Sequence, residues 1–141
     1  MKPIINTFVL VAPDCKATTG TVPTPRGEKP TVAVLQYELL TAQPYALTLE
    51  DLIFETHVRR AGLSQEEAKA KAKAIRKELF AKPHACMRAS QLTKQYGWGV
   101  HHDDQGRMAL YGMESADYQR FAKGEVQGVE VVVSMRRQRS E

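Results

Sequence analysis

The chain has only two cysteines among its 141 residues, Cys15 and Cys86, and they form no C-x-x-C pair. That leaves no disulfide framework, so both thiols are expected to be free. No charged, then apolar leader pattern precedes them, and the expectation is a cytoplasmic protein. Long apolar runs are missing too: none approaches the ~20 residues of a membrane-spanning helix, so no membrane partner is expected. The catalytic signatures G-x-x-x-x-G-K-[ST], G-x-G-x-x-G, H-E-x-x-H and G-x-S-x-G are all absent. Phosphate-cradling loops, zincin sites and nucleophile elbows therefore have no support, and no cofactor is expected.

A low-complexity or disordered composition is absent as well. Apolar residues make up 43% of the chain, with 9 Gly and 7 Pro, which suits a folded domain. One domain over 1–141 is the expectation, large enough to bury a core without disulfides or a structural metal. The 20 Lys+Arg against 16 Asp+Glu leave a net charge of +4, which matters only if the positive groups share a face.

Ile4 to Val11 is short, β-branched and apolar in both alternating sets, the pattern of a central strand buried on both faces. Residues 16–30 are rich in Thr, Pro and Gly and read as one long loop. Thr31 caps a helix that ends before Pro44; Thr48 with Asp51 opens another, running to Arg60 and closed by Gly62. Ser64 and Glu67 form an S-x-x-E signature before a helix over 65–80, with Ala68, Ala72, Ile75 and Leu79 on its inner stripe. A further short helix is expected within 84–96. Trp98–His102 and Arg107–Tyr111 flank Asp103-Asp104-Gln105-Gly106, which reads as a β-hairpin with Gly106 at positive φ. A short helix from Ser115, a strand from Val129 to Met135 and a basic tail over 136–141 complete the chain. The order predicts an α+β fold: a mostly antiparallel four-stranded sheet (N-terminal strand, central hairpin, C-terminal strand) packed with four to five helices.

The hairpin register predicts the faces. With Asp103 opposite Arg107, one face carries Trp98, Val100, His102, Met108 and Leu110; the other carries His101, Asp103, Arg107, Ala109 and Tyr111. Adjacent His101 and His102 then point to opposite sides and cannot bind one metal ion, so no metal site is expected. His102 edges the core in this reading. His101 with Asp103 could act as a carboxylate-oriented general base, and Arg107 or Tyr111 could hold an anionic ligand. Trp98 and Arg88 are further candidates for ligand contact. Glu38, between apolar Tyr37 and Leu39, would need a partner if buried, and Arg88 could serve. Cys86 lies near His84 and Arg88 in sequence, a neighbourhood that lowers a thiol's pKa, although free cysteines are more often simply buried. Lys69, Lys73, Arg76 and Lys77 stripe one side of the 65–80 helix. With the arginine tail they could clasp nucleic-acid phosphates, but the same helix carries Glu66, Glu67 and Glu78, and no aromatics interleave to stack bases.

Five stretches carry a resemblance: Asn6-Thr7-Phe8, Gly20 to Pro23, Lys29 to Leu40 (KPTVAVLQYELL), Arg88-Ala89-Ser90 and Tyr96 to His101 (YGWGVH). Together the chain resembles a family of small bacterial proteins catalogued as a domain of unknown function, from the first strand to about Tyr111. The resemblance implies a bacterial, single-domain protein and transfers no catalytic residue. The leading expectation is a non-enzymatic module that binds a small ligand or a protein partner, a second copy of itself included as a homodimer. The alternatives are a small enzyme using His101 with Asp103 or Glu38, and nucleic-acid binding through the basic helix and tail.

Overall fold

The computed structural model describes residues 3–25, 27 and 30–136. Its organising strand is β1 (Thr7–Leu10), whose alternate side chains enter different cores: Phe8 is 0% exposed and Val9 2%. β1 lies between β2 (Trp98–His102) and β4 (Glu130–Val133), and β3 (Met108–Gly112) closes the other edge, giving the order β3-β2-β1-β4. The expected hairpin forms in the expected register, His102 opposite Met108 and Val100 opposite Leu110. The Asp103 amide donates to the Arg107 carbonyl, and Gly106 takes φ +79°, as the turn requires.

The sheet is mixed rather than uniformly antiparallel. β1 pairs antiparallel with β2, and β2 with β3, while β1 and β4 run parallel. The cause is α6 (Ala116–Ala122), which joins β3 to β4: a helical crossover carries the chain back, so the two strands it joins point the same way.

Helices cover both faces. On one, α1 (Val32–Ala42), α2 (Leu49–Arg60) and α5 (Gln91–Lys94) enclose the larger core of Val9, Val100, Met108, Leu40, Leu52 and Leu92. On the other, Tyr118 and Phe121 of α6 pack with Phe8 and Val11. Thr31, Thr48 and Ser115 cap their helices through their side-chain oxygens, and Thr48 with Asp51 completes the expected capping box.

Two helix expectations are corrected. The helix expected over 65–80 is two, α3 (Gln65–Ala70) and α4 (Ala72–Leu79), broken at Lys71 (φ −105°, ψ 8°). Across the break, Ala68 of one half and Ala72 and Ile75 of the other, three residues of the expected inner stripe, pack with Phe54 and Val58 of α2. The single helix expected within 84–96 is a 3-10 turn, Met87–Ala89, followed by α5. Ser90 between them is the N-cap of α5 with extended backbone (ψ 143°), so no helix passes through it. The described residues thus form six α-helices and one 3-10 turn. No helix among them is long and apolar enough to cross a membrane. The 16–25 stretch forms no helix or strand, yet it is tied down: Thr21 donates its amide to the Tyr96 carbonyl at 2.7 Å and accepts from Trp98 Nε1 at 2.8 Å.

Candidate functional site

The hairpin sends His101 and His102 into different surroundings. His101, with Tyr111, lies on the α6 side. The Phe121 ring sits 4.7 Å from the His101 ring and 5.4 Å from that of Tyr111. The third neighbour, Tyr45, belongs to the α1–α2 connection and reaches across the β3 edge. Its amide donates to the Met108 carbonyl at 2.8 Å, while Met108 donates to Leu47 at 2.9 Å, so the connection shields the edge strand. Tyr45 adopts φ +59°, a costly conformation for a bulky residue. That geometry sets its hydroxyl 2.9 Å from His101 Nδ1 and 2.6 Å from the Tyr111 hydroxyl.

Burial favours the neutral forms of Tyr45 and His101. Burial raises the Tyr45 phenol far above its ordinary value, with the Tyr111 hydroxyl adding to the rise. Burial likewise lowers the His101 pKa, against the opposing charge of Asp103. Asp103 is engaged elsewhere: its Oδ1 accepts from the amides of Gln105 and Arg107 at 2.9 and 2.8 Å, capping the turn. The hydrogen-bond partner of His101 Nδ1 is thus a phenol, not the carboxylate that a conventional general-base pair would use. Arg107 is exposed at the turn.

His102 faces the other way and is 1% exposed. Neither Nδ1 nor Nε2 has a hydrogen-bond partner. Burial, with His101 adjacent, pushes its pKa down to about 4, so the imidazole is neutral at pH 7. The register explains its neighbours: Thr7 of β1 is paired with both His102 of β2 and Glu130 of β4, so these three polar residues form one row across three strands. The next row, Val100–Val9–Val132, is apolar. Over the two rows lies a cavity of about 200 Å³, lined by Thr7, His102 and Glu130 from the sheet and by Cys86, Met87 and Arg88 from the segment ahead of α5. Ile4, Val9 and Val132 supply apolar wall. Thr7 donates its hydroxyl to the Ile5 carbonyl at 2.8 Å, leaving oxygen lone pairs available. Arg88 Nε donates to the Val133 carbonyl at 2.8 Å, and the Arg88 carbonyl accepts from the Met135 amide, so the guanidinium is anchored to the end of β4.

The remaining candidates are dispersed. Glu38 is exposed on α1 and makes no ion pair with Arg88; the carboxylate that shares a cavity with Arg88 is Glu130. Trp98 packs its ring 5.5 Å from Tyr37 and uses its Nε1 to hold the 16–25 loop. Of the basic stripe, Lys69, Lys73 and Lys77 are exposed, whereas Arg76 donates to Asp51 at 3.1 Å and lies over the Phe54 ring at 4.3 Å. Arg76 therefore serves the α2–α4 contact rather than a continuous basic face. Of the basic tail, Arg136 is described and exposed; Arg137 and Arg139 lie outside the described residues. Among the described residues no three His, Cys, Asp or Glu side chains come together as a metal site.

Sequence reasoning placed His102 on its correct face but as core edge, and it did not reach Tyr45, Thr7 or Glu130 as site residues. The signal for the last two is cross-strand register, which needs the strand order. For Tyr45 no local signal points across the sheet edge.

Fold and site together define an α+β protein with a four-stranded mixed sheet, helices on both faces, and a small, largely apolar cavity between the sheet and residues 86–88. By its sequence the chain belongs to a family of unknown function, DUF6157, which it matches over residues 2–140. No curated protein and no solved structure matches it.

Proposed function

We propose that this protein is a small-molecule-binding module whose site is the cavity over the Thr7–His102–Glu130 row. The observation that carries the reading is the cavity lining: the Arg88 guanidinium, the Glu130 carboxylate and the Thr7 hydroxyl converge on an apolar wall of Ile4, Val9 and Val132, with the neutral His102 ring buried beneath them. A cavity with a few convergent polar groups in an apolar wall is the usual form of a ligand site. At about 200 Å³ the space suits a ligand smaller than the drug-sized molecules that occupy pockets of roughly 300 Å³ and above. General-base chemistry at His101 has less support, because its Nδ1 is engaged by Tyr45 and Asp103 by its own turn.

Native mass spectrometry of untagged protein, set against the same sample denatured, tests the reading. The expected result is a small-molecule mass retained by the wild type and lost in Val132→Phe, which fills the cavity from its apolar wall. A bare wild-type mass, together with no shift of Val9 or His102 amide resonances across a fragment library, overturns it.

A further inference from the structure

The rim of this cavity carries two opposite charges that do not neutralise each other. Arg88 and Glu130 both line it, yet the ion pairs among the described residues are Arg76–Asp51 and Arg120–Asp117. The arginine is also positioned. The Arg88 Nε is spent on the Val133 carbonyl, which orients the guanidinium and leaves its terminal Nη groups, the edge that binds a carboxylate in bidentate fashion. Glu130 stands in the same row as Thr7, whose hydroxyl proton is spent on Ile5. Carboxylate and hydroxyl oxygen together make an acceptor pair suited to an ammonium group. Between the charges the wall is aliphatic: Val9, Val132, Ile4 and Met87.

From this arrangement we infer that the cavity takes a small zwitterion of the α-amino-acid type with an aliphatic side chain. The ligand carboxylate meets Arg88, its ammonium meets Glu130 and Thr7, and its side chain lies along Val9 and Val132. The inference rests on the cavity being a ligand site and adds the chemical class. A simple anion would leave Glu130 opposing it, and a simple cation would leave Arg88 doing so; only a ligand with both charges uses both residues.

The test is titration of the full chain, followed by amide resonances, with L-valine, L-leucine and L-methionine. L-valine is then compared with N-acetyl-L-valine, which lacks the ammonium, and with L-valinamide, which lacks the carboxylate. The expected result is saturable shifts at Val9, His102 and Val132, with each analogue weaker than the parent by about tenfold, the value of one charge-assisted contact. The variants are matched to the analogues. In Arg88→Gln, L-valinamide should bind as well as L-valine; in Glu130→Gln, N-acetyl-L-valine should do so. Both residues are exposed, so the fold is expected to survive either change, and Arg88→Lys, which keeps the charge without the fork, should fall between. Analogues binding as tightly as L-valine, or variants leaving the ratios unchanged, overturn the zwitterion. So does the absence of shifts with all three amino acids. In that case a different passenger mass that Val132→Phe abolishes leaves the binding site standing, while a bare wild-type mass with no fragment shifts removes both.

Discussion

His102 is the residue whose environment is least self-sufficient. Its pKa falls from 6.5 to about 4 because burial disfavours the imidazolium. The unfolded chain takes up a proton as the pH drops through about 6.5, and the folded chain resists until about 4. Stability is therefore undiminished at neutral pH and lost between these values, by about 3 kcal/mol at most. The lowered pKa of His101 acts in the same direction. Urea unfolding at pH 7 and pH 4.5 should show this loss in the wild type and a smaller one in His102→Phe. At pH 7 the variant should be as stable as the wild type or more so, since it removes two unpaired buried nitrogens. At Tyr45 the balance is reversed. Its strained φ is maintained for two hydrogen bonds, and Tyr45→Phe removes both while leaving His101 and Tyr111 without that partner. A loss of about 1–3 kcal/mol is expected from denaturant titration. If Tyr45 donates to Nδ1, as the more basic acceptor favours, the His101 proton sits on Nε2, and imidazole nitrogen shifts will report it.

At the scale of elements, the sheet is closely packed at one glycine. A Cβ at Gly99 would lie 2.6 Å from Phe8 Cζ and 2.7 Å from Tyr118 Cε2. Those rings belong to the contact between β1 and α6, with Phe8 stacked 4.2 Å from Phe121. Gly99→Ala should cost about 1–3 kcal/mol by overpacking, read as a lowered Tm. Thr48→Ala should cost about 1 kcal/mol by opening the capping box of α2. Helix starts were legible here because a cap is a local event: Thr31, Thr48, Ser64 and Ser115 each satisfy an amide three residues on. The break at Lys71 was not legible. Nothing in an Ala–Lys run signals it.

At the scale of the molecule, the last strand completes the first. β4 covers the open side of β1 and supplies Glu130 and Val132 to the cavity. A chain ending at Gly128 should lose both the shelter of β1 and the site. Loss of the cooperative thermal transition, seen by circular dichroism, checks this; a truncated chain that melts like the full one would show that β4 is dispensable. The expected basic surface is also a whole-molecule matter. Lys69, Lys73 and Lys77 remain in solvent, but the tie of Arg76 to Asp51 and Phe54 interrupts the stripe.

The sequence by itself determined whatever depends on near neighbours: the capped helix starts, the hairpin with its turn at Gly106, the opposite facing of His101 and His102, and β1 as a strand buried on both sides. These follow from side-chain period, cap chemistry and turn sterics, all of which act over a few residues. Only the tertiary structure decided that β4 runs parallel to β1. It alone aligned Thr7, His102 and Glu130, set Arg88 and Glu130 along one cavity away from Glu38, and carried Tyr45 over the sheet edge to His101. Each of these joins residues far apart in the chain, and such meetings are set by the packing of whole elements around a shared core. The candidate site is built almost entirely from contacts of that second kind, which is why it was the part least readable in advance.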